Sequence, residues 1–152
     1  IAIADKIKDS SVQAVAQLQQ EGIEVYMLTG DNAQTAESIA KQANIKNFKA
    51  GLLPADKTGF VKELQARGKV VAMVGDGIND SAALAQANVG IAMGQGSDIA
   101  IDTAKMTNIS NDLTKIPQAI KLSKETNRTI KQNLFWAFIY NLIAIPIAAG
   151  IL

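Results

Sequence analysis

The sequence predicts an α/β fold, a doubly wound parallel sheet with helices on both faces, and three observations predict it. Short, continuously apolar β-prone runs alternate with amphipathic stretches of about ten residues. Parallel strands need such helical crossovers, and strands covered on both faces read as unbroken apolar runs. The polar, glycine-bearing segments fall directly after the strands, where ligands bind in open α/β sheets.

The elements follow in order. Ile1 to Ala4 reads as a strand. Val12, Val15, Ala16 and Leu18 keep helical spacing from a cap at Ser10 or Ser11 to Gly22. Ile23 to Leu28 is a strand that breaks at Thr29-Gly30-Asp31, and Ala36, Ile39, Ala40 and Ala43 resume the helical period. The alternation continues with a strand at Phe48 to Leu52, a helix opening at Pro54, a strand at Val70 to Val74 and a helix after Asn79. A strand at Val89 to Met93, a short helix after Ser97 and a strand near Met106 to Ile109 complete it. No sequence repeat accompanies the pattern.

The 152 residues, 48% hydrophobic, suffice for one domain with a core. The 15 basic and 14 acidic side chains nearly balance, which speaks against a nucleic-acid partner. With no cysteine and no histidine, disulfides, thiolate or imidazole zinc sites and serine-histidine triads are excluded within these residues. Chemistry falls to carboxylates, hydroxyls, amides, lysine, backbone groups or a hard metal ion.

Charge divides the chain into three parts. Residues 1–110 carry 10 basic and 12 acidic side chains, residues 111–133 carry 5 and 2, and residues 134–152 carry none. Residues 111–133 read as a basic amphipathic stalk helix, with Leu113, Ile116, Ala119, Ile120 and Ile130 on one stripe and Lys115, Lys121, Lys124, Arg128 and Lys131 elsewhere. LFWAFIYNLIAIPIAAGIL is close to the ~20 residues that cross a bilayer, so 134–152 is expected to be a truncated transmembrane helix, with a buried core helix as the alternative. The basic stalk puts residues 1–133 on the cytoplasmic side. The strand-like start at Ile1, not Met, and the apolar end suggest a piece of a longer protein, and no signal peptide is recognisable.

The sharpest local signal is GDGIND at 75–80, which brings Asp76, Asn79 and Asp80 to one strand end through a turn shaped by Gly75 and Gly77. Such oxygen ligands suit Mg²⁺; the same loop also fits a plain helix cap with turn glycines. TGDN at 29–32 likewise follows a strand and opens a helix, so Thr29 offers a hydroxyl and Gly30 an amide to a phosphate, or the segment simply caps a helix. Lys57 stands in the first turn of the helix begun by Pro54, where a cation opposes the macrodipole unless an anion joins it. A solvated lysine is the alternative. Together these groups make a phosphoryl and Mg²⁺ site that lacks a nucleophile.

At these residues a resemblance becomes specific. TGDN, LPADK at 53–57, MVGDGINDSAALAQANVGIAMGQGSDIA at 73–100 and QNLFWAFIYN at 132–141 resemble the C-terminal half of the phosphorylation domain of P-type cation-transporting ATPases. The heavy-metal branch, particularly the copper exporters, is most similar, and the resemblance covers essentially the whole chain. It implies a haloacid dehalogenase-like fold for 1–110 and an aspartyl-phosphate mechanism. It also implies that Thr29, Gly30, Asp31, Lys57 and Asn79 bind the phosphoryl group, with Thr29, Lys57 and Asn79 catalytic, and that Asp76 and Asp80 hold Mg²⁺. ATP is then bound mainly by a domain outside this chain. The implied partners are the nucleotide-binding and actuator domains and other membrane helices of the same pump, the lipid bilayer, and a heavy-metal ion, copper(I), with zinc-type divalent ions as the alternative.

The family's phosphorylated aspartate sits in DKTGT, and this chain has DKTGF at 56–60. Asp56 is not expected to be that residue, because it follows Pro54 and precedes GDGIND by only 19 residues, in the place of the family's lysine segment. The nucleophile is expected upstream. Tyr140 and Asn141, polar groups within the apolar run, resemble the copper(I) pump pattern and are expected near the transported ion; a hydrogen bond from Asn141 to a neighbouring helix is the alternative. Two rival readings are a phosphatase of the same fold, soluble or membrane-anchored, and a non-catalytic membrane-anchored binding domain. The first gives no reason for 111–152 if soluble, and the second none for phosphate and Mg²⁺ loops together.

Overall fold

The computed structural model describes residues 7–75, 78–94, 106–108 and 111–150. The strand expected at Ile1 to Ala4, the helix expected after Ser97, and Asp76 and Gly77 lie outside them. The order is α1 (Asp9–Gln20), β1 (Tyr26–Leu28), α2 (Ala33–Gln42), β2 (Asn47–Lys49), α3 (Pro54–Ala66), β3 (Ala72–Gly75), a 3-10 turn (Ile78–Asp80), α4 (Ser81–Gln86), β4 (Val89–Met93), β5 (Met106–Asn108) and α5 (Lys115–Ala148).

Every described strand pairing is parallel, as the alternation requires. β1 pairs with β2, placing Met27 opposite Phe48, and β4 lies between β3 and β5, placing Met73 opposite Gly90 and Ile91 opposite Met106. The strands form two separate sheets, of two and three strands, so no hydrogen-bonded ladder joins β1 to β3 among the described residues. Strands are also shorter than the apolar runs: Ile23 to Val25 and Val70 precede the ladders, and Leu52 follows one. A ladder needs a neighbouring strand for each amide, which an apolar run does not by itself supply.

Helices α1, α2 and α3 stop by one device. After α1, α2 and α3 a residue with positive φ, Gly22, Asn44 or Gly68, reverses the chain. The next amide then bonds back: Ile23 to the Leu18 carbonyl at 3.0 Å, Ile45 to Ala40 at 2.8 Å and Lys69 to Leu64 at 3.1 Å. This is the six-to-one bond that satisfies end carbonyls and sends the chain into the next strand. Val61, Met73, Ala83, Leu84, Ala87 and Ala92 form the core cluster, with Leu28 and Val71 packed against it. Three alanines among six residues let α3 and α4 lie close on the strands.

The chain divides into two compact units, one ending at Lys115 and the next beginning at Ile116. The boundary therefore falls a few residues after the expected position at 110. In the second unit α5 runs unbroken for 34 residues, roughly 50 Å at 1.5 Å per residue. Apart from Ile116 and Pro117 in its first turn, it is largely exposed, Trp136 and Phe138 included. Among the described residues no helix is long and apolar enough to cross a membrane. The helix ends at Ala148, and within it the apolar run falls short of the ~20 residues a span needs.

Candidate functional site

The site is built at the carboxyl ends of β1 and β3. Pro54 opens α3 with its fixed φ, and the Asp56 carboxylate accepts the Leu53 N–H at 2.9 Å, closing the first turn. Asp56 is thus an exposed capping residue, which is a structural role for DKTGF. One residue later, Lys57 sends its ammonium to Asp80 Oδ1 at 2.7 Å, and the two side chains are only 14% and 13% exposed. The expectations assigned Lys57 to phosphate and Asp80 to Mg²⁺ separately; that they would neutralise one another had no signal in spacing, since 23 residues part them.

Gly75 makes room for this pair. A Cβ there would meet Asp80 Oδ2 at 2.7 Å and its Cβ at 2.8 Å, so any side chain at 75 displaces the carboxylate. The glycine serves close approach as well as turning.

The loop after β1 is a second cluster. Thr29 donates its hydroxyl to Asp31 Oδ2 at 2.9 Å and accepts the Asp31 N–H at 3.1 Å, while Asn32 caps α2 by accepting the Thr35 N–H at 2.9 Å. Asp31 therefore acts on Thr29. Three backbone bonds stitch this loop to the segment before α3: Thr29 N–H to Lys49 O at 3.0 Å, Leu52 N–H to Thr29 O at 3.0 Å and Gly51 N–H to Asp31 O at 2.7 Å. Gly30 is exposed, with only Leu52 O near its side-chain position at 3.5 Å. Asn79 is exposed in the 3-10 turn, and Tyr140 and Asn141 are exposed on α5 in the other unit.

Carboxylate and amide oxygens suit a hard cation. Among the described residues, however, no group of three acidic side chains could hold a metal ion, and Asp80 is already neutralised by Lys57. Of the two expected Mg²⁺ ligands only Asp80 is among the described residues; Asp76 lies outside them.

At the far end of α3, Gln65 donates to Gln86 O at 3.0 Å and Asn88 Oδ1 at 3.1 Å, Gln86 donates back to Gln65 Oε1 at 2.8 Å, and the Val71 N–H reaches Asn88 Oδ1 at 2.9 Å. Sequence reasoning missed this network, because scattered amides have no periodic signature.

Comparison with known proteins gives the arrangement its family. The pattern of haloacid dehalogenase-like hydrolases matches residues 1–88, more than half of the chain, and a second pattern of the same description matches 58–120. The chain belongs to the haloacid dehalogenase-like hydrolases. Within that family it is 56% identical over 151 residues to the probable copper-importing P-type ATPase A of Enterococcus hirae, covering 98% of this chain and 21% of that protein. It is 54% identical over 149 residues to the copper-exporting P-type ATPase of Staphylococcus aureus, covering 98% and 19%. Among solved structures, a zinc-transporting PIB-type ATPase in the E2.Pi state superposes with a TM-score of 0.88 at 37% identity, over 97% of this chain and 24% of that one. The chain spans about a fifth of the length of the curated relatives it matches.

Proposed function

We propose that this haloacid dehalogenase-like unit is part of an ATP-driven heavy-metal pump and supplies half of its aspartyl-phosphate site. The Lys57–Asp80 pair carries the reading. A lysine at a helix N-terminus gains nothing from the macrodipole, yet here it is shielded from water and held by a carboxylate at 2.7 Å, which fits an ammonium stationed for an incoming phosphoryl group. Identity above half to copper-transporting P-type ATPases over nearly the whole chain supports the same reading.

In this proposal Lys57 stabilises charge on the transferring phosphoryl oxygens, and Asp80 positions its ammonium. Thr29 presents its hydroxyl to the phosphoryl group once it releases Asp31; Gly30 contributes an amide and Asn79 orients the group from the 3-10 turn. Mg²⁺, when bound, supplies neutralisation of phosphate oxygens. Asp76 is its proposed ligand, with Asp80 second because Lys57 already holds one of its oxygens. The nucleophile and most contacts to ATP belong to parts of the pump outside this chain, and the capping bond of Asp56 supports reading it as a structural residue instead. Residues 134 onward are proposed to enter the bilayer together with further helices, leaving 1–133 cytoplasmic.

Copper(I) is the proposed cargo. It prefers soft sulfur, so Tyr140 and Asn141 supplement sulfur ligands on other helices. The relatives named above include a copper importer, a copper exporter and a zinc transporter, so the ion is tested directly. In the full-length parent, copper(I)-stimulated ATPase activity should fall with Asn141→Ala; stimulation by zinc(II) alone would defeat the assignment.

The site itself is tested by Lys57→Ala in the parent. Neutralisation of phosphoryl charge in a partly dry site is worth about 3 kcal/mol, so phosphoenzyme formation should slow by roughly a hundredfold. Normal turnover would remove Lys57 from the site. The isolated chain should form no acyl phosphate from ATP; formation that Asp56→Asn abolishes would reverse the rejection of DKTGF.

A further inference from the structure

The phosphoryl site leaves the charges of α5 unused. Lys121, Lys124, Arg128 and Lys131 are spaced by three, four and three residues, which at 100° per residue puts them on one side of the helix, and all four are exposed. Lys124, Asn127, Arg128, Lys131, Gln132 and Phe135 line a shallow open groove there. The whole helix contains five cations and a single carboxylate, Glu125. On the same side the next residues are Phe135 and Leu142, 57% and 58% exposed, and Phe135 meets Trp136 edge to face at 5.7 Å.

Cations, then aromatic rings, then aliphatic side chains follow one another along one side. Seven residues separate Arg128 from Phe135, about 10 Å of rise. A partner complementary to this side must present an anionic layer and, about 10 Å away along the axis, an apolar one. A phospholipid leaflet has that order of layers; an acidic protein surface or a nucleic acid offers the charge without the apolar layer beneath it. We infer that the groove of Lys124, Arg128 and Lys131 is a binding site for the phosphate headgroups of anionic phospholipids, with Asn127 and Gln132 as flanking hydrogen-bond donors. The inference rests on the membrane placement of residues 134 onward and adds to it a lipid preference seated in named side chains.

Flotation of the chain with vesicles of phosphatidylcholine alone or with 30% phosphatidylglycerol tests it. A basic residue near an anionic surface is worth about fivefold in affinity, so the chain should prefer the anionic vesicles by more than tenfold at low salt, and less as salt rises. The variant Lys124→Gln/Arg128→Gln/Lys131→Gln, whose glutamines keep helix propensity, should bind both vesicles within about threefold, while Lys124→Arg/Lys131→Arg keeps the preference. Circular dichroism of equal helicity in both variants secures the comparison. A preference that survives the triple glutamine change overturns the site. Equal binding of the unaltered chain to both vesicles overturns it and leaves the membrane reading standing; binding to neither removes both. Displacement from anionic vesicles by a short DNA duplex at equivalent charge would assign the stripe to nucleic acid instead.

Discussion

The two ends of α3 carry the same chemistry in different surroundings. At its start Lys57 meets Asp80 at 2.7 Å with both side chains mostly shielded; beyond its end Lys69 meets Glu24 at 3.0 Å with both about half exposed. Water weakens the second pair and leaves it little to contribute, whereas the first cannot lose one partner without stranding a charge. The strand-carboxyl end is therefore where polar groups are held against their own solvation, and the opposite end is held by amides whose role is attachment.

The sharpest way to break this contrast is Asp80→Asn. Removing one partner of a shielded pair should destabilise the α/β unit by about 2 to 4 kcal/mol and abolish phosphoenzyme formation in the parent, with Lys57→Met/Asp80→Asn recovering part of the stability but none of the activity. Denaturant midpoints and phosphorylation of the same variants decide it; a single change within error of the unaltered chain would place the pair with the exposed ones. Next comes Gly75→Ala, whose methyl group must push Asp80 aside. We expect about 1 to 3 kcal/mol of lost stability with loss of phosphorylation, and full activity would show that the pair tolerates displacement.

At the other end, Gln65→Ala should cost about 1 to 2 kcal/mol, because Gln86 and Asn88 lose their partner, while phosphorylation in the parent stays intact. An activity loss as large as that of Asp80→Asn would erase the distinction between the ends. The smallest effect belongs to Lys69→Met, a slight loss of stability at neutral pH that vanishes on acidification. The Glu24 carboxyl is held below its ordinary value by the hydrogen bond from Lys69, then by that from Tyr26. A depressed carboxylate favours folding above its unfolded pKa and loses that contribution as pH falls through the folded one, so the variant should flatten stability on the acid side. An unchanged acid limb in a pH series of unfolding curves would contradict this.

Much of the fold was legible because apolar period and punctuation agree: Pro54 opens α3, and Gly22 closes α1 where the pattern places it. Strand limits were not, since Val70 and Leu52 are apolar without a ladder to join. The site residues Lys57 and Asp80 were legible as types, Lys57 by its adverse place at a helix start and Asp80 by its loop. Their pairing was not, because contact between positions 57 and 80 depends on how α3 meets the turn after β3, and no local pattern encodes that distance. The change of composition at Leu134 leaves no mark on the backbone of α5, because hydrogen bonding within a helix does not respond to it.

The three backbone bonds between residues 29–31 and 49–52 have a mechanical consequence. The Thr29 loop and the lead-in to Pro54 form one stitched strip, and α3 begins two residues after its last stitch. A displacement of Thr29 is handed through Leu52 to the helix start that aims Lys57, so hydroxyl and ammonium travel as parts of one linkage. Amide exchange in the two segments should accordingly slow or quicken in concert, and a deletion between Lys49 and Leu53 would uncouple them while leaving every side chain of the site in the chain.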